Sequence, residues 1–114
     1  MPVSMIVLAV RPPDWSVDQF TTWWRGDHAD MARRLPGLLA YRHGRVTDDY
    51  DHPDAPIWDG HAVLSFADRT DLDAALASPE WADAVRHTGR MKGKRMILIT
   101  EEVDLLAQQE RDGK

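Results

Sequence analysis

The chain has 114 residues, a formal net charge of −5, 43% hydrophobic residues, 29% charged residues and no cysteine. This balance is typical of one globular domain, which we assign to residues 1–114 with a core over residues 4–102 and a polar C-terminal tail over residues 103–114. The acidic charge argues against nucleic acid and anionic membranes as partners. The absence of cysteine excludes disulfides, thiol nucleophiles and thiolate-bound metals, and it is consistent with a cytoplasmic protein.

The first predicted element is a buried strand over residues 4–11, an aliphatic run that ends at two prolines. This segment is too short to span a bilayer and lacks the positive flank of a signal peptide. Ser16 and Gln19 then form a predicted capping box at the start of a helix, and Pro36-Gly37 ends that helix.

The helix over residues 17–35 is predicted to be amphipathic. At about 100° per residue, His28 falls in the middle of an otherwise apolar stripe. That stripe comprises Val17, Phe20, Trp24, Met31 and Leu35. Asp27 lies just beside it, whereas Trp23 lies about 100° from its centre and is predicted to be exposed or at an interface. If the helix packs on a sheet, His28 points into the space between them.

Two further strands are predicted over residues 38–46 and 60–66, joined by an acidic connection over residues 47–59. Alternation places His43 with Tyr41 on one strand face, and His61 with Ser65 on one face of the next strand. A symmetric hairpin would set His43 opposite His61, beneath His28.

The opposite sheet face would then carry a second set of apolar side chains that needs a cover. That set comprises Ile6, Leu8, Ala62, Leu64 and Phe66. A second copy of the chain can supply the cover with closed two-fold symmetry, so the sequence predicts a homodimer.

Residues 68–91 are predicted to be helical in two pieces, the first capped by Asp68 or Thr70 and the second by Ser78. Trp81 lies on the apolar face of the second piece. Gly93 precedes a last strand over residues 94–102. The order βαββαβ predicts an α+β, ferredoxin-like fold with a four-stranded antiparallel sheet in the order 4-1-3-2 and both helical segments on one side.

The motif F-x-x-x-W-x-x-x-H-A, from Phe20 to Ala29, is followed by L-P-G-L over residues 35–38 and by Tyr41. These residues, with a looser match at S-P-E over residues 78–80, resemble the EthD-like family of dimeric α/β-barrel proteins. The resemblance implies that two subunits join their sheets into one barrel and that each cavity lies between its own sheet and helices. Relatives in that superfamily include cofactor-free polyketide cyclases and dehydratases, muconolactone isomerases and quinone-forming monooxygenases.

Histidine side chains supply the candidate chemistry, because imidazole exchanges protons near neutral pH. We predict His28, His43 and His61 as acid/base residues, with Asp27 orienting a histidine. The predicted substrate-binding residues are Trp24, Tyr41, Trp81 and Ser65. Such a site suits a cyclase, dehydratase or isomerase acting on a small hydrophobic or aromatic carbonyl compound, such as a polyketide or lactone, without a cofactor.

Three alternatives stay open. A cofactor-independent monooxygenase would deprotonate a phenol or anthrone that then reacts with oxygen. A non-catalytic dimer would only bind a small molecule or support a partner enzyme. Three histidines could also hold zinc or iron, but no H-x-H or H-E-x-x-H spacing occurs, so we predict no metal. His52 and His87 are predicted to be exposed.

Overall fold

The structure, a computed structural model, describes residues 1–88 and 94–107. Its strands form one antiparallel sheet in the order β2-β3-β1-β4, which confirms the predicted ferredoxin-like topology. The elements are β1 (Val3–Val10), α1 (Val17–Trp23), a π-helical turn (Trp24–His28), α2 (Ala29–Ala32), β2 (Ala40–Arg45), β3 (Gly60–Phe66), α3 (Arg69–Leu76), α4 (Pro79–Thr88) and β4 (Lys94–Glu101). The predicted helix end at residue 91, the strand start at Gly93 and the tail beyond residue 107 lie outside the described residues.

Local hydrogen bonds explain where the helices begin. Ser16 Oγ accepts from the Gln19 backbone N–H at 3.0 Å, and Gln19 Oε1 accepts from the Ser16 N–H at 2.8 Å, so the predicted capping box is confirmed. Asp68, rather than Thr70, caps α3. Ser78 Oγ accepts from the backbone N–H of Trp81 at the start of α4. These contacts satisfy N–H groups that a helix start leaves without internal partners.

The sequence predicted one regular α-helix over residues 17–35. In the structure this helical segment is interrupted. A π-helical turn, Trp24–His28, separates α1 from α2, and α2 ends at Ala32. In a π-helical turn hydrogen bonds run from residue i to residue i+5, so the turn holds one residue more than an α-helical turn. The phase of every side chain after Trp23 therefore differs from the predicted one.

The inner face of the sheet packs against the helices and forms the core. Its buried members include Met5, Leu64 and Phe66, which form one hydrophobic cluster with Phe20 and Leu72 from the helices. The prediction that Ala62, Leu64 and Phe66 lie on the opposite face was therefore wrong.

The register of β2 and β3 explains that error. His43 pairs with Ala62, and His61 pairs with Gly44, one residue away from the predicted pairing. Side chains alternate between faces, so this shift places His43 on the inner face and His61 on the outer face. The predicted facing pair of His43 and His61 was wrong.

Contacts at Asp59 fix the end of the connection that sets this register. The Asp59 carboxylate accepts from the Arg11 backbone N–H at 2.8 Å and from Arg11 Nη1 at 2.7 Å. The Asp59 N–H donates to the Ala9 carbonyl, and its carbonyl accepts from Val46 N–H. The connection is thus tied to β1 and does not behave as a symmetric hairpin loop.

The outer face of the sheet carries apolar side chains, among them Ile6 and Leu8. Their partners on β4, Leu98 and Met96, are 46% and 44% exposed. Among the helices of residues 1–88 and 94–107, none is long and apolar enough to cross a membrane.

Candidate active site

A cavity of about 260 Å³ lies between the inner face of the sheet and the helices. Its wall is mainly aromatic and aliphatic, with a few polar side chains. Trp24, Tyr41 and Trp81 from the predicted binding set border it, together with Trp23 and His28. Such a concave, largely apolar space with few polar groups is typical of small-molecule sites.

His28 makes one side-chain contact that the sequence did not predict. Its Nδ1 lies 3.2 Å from Nδ1 of His87, which is half-buried on α4 rather than exposed. The two rings are nearly parallel, at 5°, with centroids 5.4 Å apart. The centroid distance exceeds the nitrogen distance by roughly the two ring radii, so the imidazoles meet edge to edge as a hydrogen-bonded pair.

Trp23 packs flat against this pair. Its ring lies 4.9 Å from His28 at 14° and 5.2 Å from His87 at 9°. The π-helical turn explains the first contact. Residues five apart lie about 140° apart on an α-helix, whereas i to i+5 hydrogen bonding brings them onto the same side. Trp23 is therefore half-buried rather than exposed, and the alternative that it lies at an interface stays a prediction.

The pKa of His28 is lowered from 6.5 to about 4, chiefly by burial and further by His87 and Arg95. Burial penalises the charged imidazolium, and nearby positive charge adds to that penalty: Arg95 always carries it, and His87 carries it only when protonated. His28 is therefore neutral at physiological pH and can accept a proton.

His43 lies in different surroundings on the inner face. Its ring meets Trp24 edge-on at a centroid distance of 4.0 Å and 76°, and it borders a small crevice separate from the main cavity. Its Nε2 is buried without a hydrogen-bond partner among the described residues. Burial, followed by Arg25, His61 and His28, lowers the pKa of His43 to about 4.

Two cations, one phenol and the hydroxyl of Thr88 complete the polar part of the cavity. Lys94 and Arg95, both exposed, border its edge, and Arg95 Nη1 donates to Thr88 Oγ1 at 3.2 Å. Burial raises the pKa of Tyr41, with Arg33 opposing the shift, so Tyr41 keeps its O–H. The arrangement offers one neutral base, one hydroxyl donor and positive charge at the edge.

The other predicted site residues lie elsewhere. His61 is on the outer face, where its ring occupies the space that a side chain on Gly44 would need: an added Cβ would lie 2.0 Å from His61 Cε1. Ser65 Oγ lies 2.9 Å from Ser4 Oγ, also on that face. Asp27 is exposed and borders a surface depression with Trp15 and Trp23. The structure therefore does not bring His61, Ser65 or Asp27 to the cavity.

His52 is exposed in the acidic connection, with Nδ1 3.5 Å from Asp49 Oδ1. Within the part of the chain that the structure describes, no group of three or more His, Cys, Asp or Glu side chains is arranged to hold a metal ion.

A model of the EthD domain matches residues 12–90, which include the helical segment that carries His28 and all of α4. The chain belongs to the EthD family. It is similar to a solved EthD family protein from Bacillus halodurans C-125, with 19% identity over 90% of this chain and 100% of that chain and a TM-score of 0.74. No curated protein matches the chain.

Two further solved structures share the fold of this EthD family member. SnoaB, a cofactor-independent oxygenase from Streptomyces nogalater, is 13% identical over 92% of this chain and 96% of that chain, with a TM-score of 0.66. A dimeric ferredoxin-like protein of unknown function from Thermobifida fusca YX is 17% identical over 90% and 92%, with a TM-score of 0.67. At these identities the likeness shows the shared fold.

Sequence reasoning missed His87, Trp23 and the cations of β4. The spacing of five between Trp23 and His28 signals a contact only once a π-helical turn is known to lie between them. His87 lies outside the apolar stripe of α4, and its approach to His28 depends on how two helices separated by more than 50 residues pack together.

Proposed function

We propose that the protein is a cofactor-free enzyme that removes a proton from an aromatic or polyketide-like carbonyl compound, with His28 as the base. Cyclisation, dehydration or isomerisation of the resulting enolate would complete the reaction. The observation that carries this proposal is a neutral imidazole on the wall of an apolar cavity. A cytoplasmic location is part of the same proposal.

Charge favours this step once a substrate is bound. A pKa of about 4 keeps His28 neutral before the reaction. As the substrate becomes an enolate, a negative charge develops beside the imidazole, and an opposite charge at short range favours the imidazolium form. Proton transfer within the cavity therefore forms an ion pair instead of an isolated buried charge.

The remaining polar groups suit an anionic intermediate. Tyr41 keeps its hydroxyl proton and can donate it in a hydrogen bond to a substrate carbonyl or enolate oxygen. Arg95 places positive charge at the edge of the cavity. Among the described residues that border the cavity there is no carboxylate to oppose a substrate anion.

A second candidate is a cofactor-independent monooxygenase. Its first step is the same deprotonation, after which the carbanion or phenolate reacts with oxygen. The structural likeness to SnoaB, a cofactor-independent oxygenase, favours this candidate, as do three tryptophans that border the cavity and exclude water.

The test is deuterium exchange followed by NMR. Wild-type protein in D₂O is incubated with enolisable aromatic ketones, hydroxynaphthalenones and anthrones, and loss of the exchangeable C–H signal is compared with buffer alone. We expect catalysed exchange with at least one compound. Oxygen consumption in parallel separates the oxygenase from the cyclase, dehydratase or isomerase.

A binding protein without catalytic activity gives a different result. The same compounds would then quench tryptophan fluorescence but show no deuterium exchange, oxygen consumption or turnover at pH 6.5 or above. That result would contradict the enzyme proposal. The histidines would then serve only as hydrogen-bonding groups for a ligand.

We also propose that the protein is a homodimer that buries the outer face of the sheet. Ile6, Leu8, Met96 and Leu98 give this face an apolar surface that water contacts in a single chain. The relative from Thermobifida fusca is described as dimeric. Sedimentation should give a dimer for wild type and for the exposed helix variant Thr22→Glu, and a monomer for Leu98→Glu. A monomeric wild type would contradict the proposal.

A further inference from the structure

The contact between His28 and His87 restricts where protons can lie. Two imidazole nitrogens 3.2 Å apart form a hydrogen bond only if one carries a proton and the other does not. When both rings are neutral, each carries one proton. Either His28 donates from Nδ1 and keeps a bare Nε2, or His28 accepts at Nδ1 and carries its proton on Nε2.

These two arrangements have opposite consequences for the cavity. Among the described residues, His28 borders the cavity and His87 does not. Since Nδ1 of His28 is engaged by His87, Nε2 is the nitrogen left for a ligand. A bare Nε2 can take a proton from a substrate, whereas a protonated Nε2 can only donate a hydrogen bond.

Positive charge at the cavity edge selects between them. Arg95 and Lys94 border the same cavity as His28, and Arg95 is held there by its hydrogen bond to Thr88 Oγ1. After burial and His87, the charge of Arg95 also disfavours the protonated form of His28. Near positive charge, a bare Nε2 is favoured over an Nε2–H, and the bare form is the tautomer with its proton toward His87.

We infer that His87 is a positioning residue that holds His28 in the Nδ1–H tautomer, with the lone pair of Nε2 directed to the cavity. His87 accepts at Nδ1 and carries its own proton on Nε2. The role of this tautomer in catalysis rests on the function proposed above, whereas the tautomer itself does not.

Trp23 supports the same arrangement by restricting rotation of both rings. Its indole lies nearly parallel to each imidazole, at 14° and 9°. A rotation of either imidazole out of the shared plane would break this contact together with the hydrogen bond. The aromatic face also favours an imidazolium that forms next to it.

In the proposed proton transfer, one bond breaks and one bond forms. The substrate C–H bond breaks and leaves its electron pair on the substrate as an enolate, and a new N–H bond forms at Nε2 of His28. The imidazolium still donates from Nδ1 to His87, and this hydrogen bond becomes charge-assisted. His87 neither gains nor loses a proton in this step.

The test measures the tautomer directly. Protein labelled with ¹⁵N-histidine is examined by two-bond nitrogen–proton NMR correlation at neutral pH. We expect His28 to show a protonated Nδ1 and a bare Nε2, with the reverse pattern for His87. A protonated Nε2 on His28 would overturn the inference, whether or not any substrate has been found.

Two variants test whether His87 is the cause. His87→Asn places an amide oxygen where Nδ1 was and can still accept from His28, so His28 should keep its tautomer. His87→Ala removes the acceptor, so His28 should lose the preference for Nδ1–H. The inference would be overturned if His28 lost the Nδ1–H tautomer in both variants, or kept it in both. If His87→Ala does not fold, wild type and His87→Asn still decide it.

Deuterium exchange adds the functional readout. His87→Ala should slow exchange by about tenfold, the equivalent of one net hydrogen bond, with most of the loss in the rate constant and little in KM. His87→Asn should restore most of that rate. Unchanged exchange in His87→Ala would contradict the positioning role, whereas no exchange in wild type would contradict only the proposed function.

Discussion

His28 and His43 have the same lowered pKa, about 4, yet they lie in regions of different character. His28 borders the cavity, is hydrogen-bonded to His87 and has Trp23 packed on its ring. His43 lies at a separate crevice, contacts Trp24 edge-on and leaves Nε2 without a partner among the described residues.

The comparison shows that a shifted pKa alone does not identify a functional histidine. Burial is the largest cause of the shift in both rings, and burial occurs in a core as well as in an active site. The two regions differ in access to the cavity and in a partner that fixes the proton. Those two properties distinguish a general base from a histidine that packs in the core.

The largest expected difference is in catalysis. His28→Gln should slow deuterium exchange by roughly 10² to 10⁴, the usual contribution of one acid/base group. His28→Ala should be at least as slow, and both variants should stay folded because both residues suit a helix. The measurement is the exchange rate beside the melting curve.

His43→Gln is the matched control for that experiment. Its effect should be much smaller, because His43 does not border the cavity. Exchange at the wild-type rate in His28→Gln, together with a large loss in His43→Gln, would transfer the role of base to His43.

A smaller effect is expected in the pH dependence of stability. Both pKa values are lowered from 6.5 to about 4, so the unfolded chain binds protons more readily than the folded one in this range. The contribution of these two histidines to the free energy of unfolding is therefore fully present above pH 6.5 and is lost as the pH falls toward 4. The melting temperature of His28→Gln, and separately of His43→Gln, should fall less steeply than that of wild type over this range. An unchanged slope in either variant would show that its histidine is not buried in the neutral form.

The smallest expected effect is a difference in the free energy of unfolding between leucine variants of the two histidines. His43→Leu should raise the free energy of unfolding by about 1 kcal/mol, because it removes a buried nitrogen that lacks a partner. His28→Leu should lower the free energy of unfolding by about 1 kcal/mol, because it breaks the hydrogen bond to His87. Urea denaturation of both variants measures the difference, and equal signs would contradict the assignment of the two environments.

The fold was predictable because local signals agreed with one another. Ser16 and Gln19 marked a helix start, Ser78 and Pro79 marked another, and alternating residues marked the third strand at its observed bounds. The pairing of β2 with β3 was not predictable to one residue. Its register depends on Asp59 bonding to Arg11 and Ala9, which are distant in sequence.

The candidate site was predicted only in part. The apolar stripe identified Trp24, which begins the π-helical turn, and His28, which ends it, and both border the cavity. The error in phase accumulates across the turn, so the stacking of Trp23 on His28 was missed. His61 and Ser65 were assigned to the wrong face because a single shift in register reverses every side chain of a strand.

Because of the π-helical turn, the geometry of the site depends on how many residues the turn contains as well as on which residues they are. Deleting one residue within Trp24–His28, such as Gly26, would convert the turn to ordinary α-helix. Trp23 and His28 would then be four apart in sequence, with every side chain of the second half rotated relative to the first. A family member with such a deletion could keep the histidine in an alignment and still hold it in a different orientation. Insertions and deletions in this turn are therefore a better marker of functional divergence than substitutions around it.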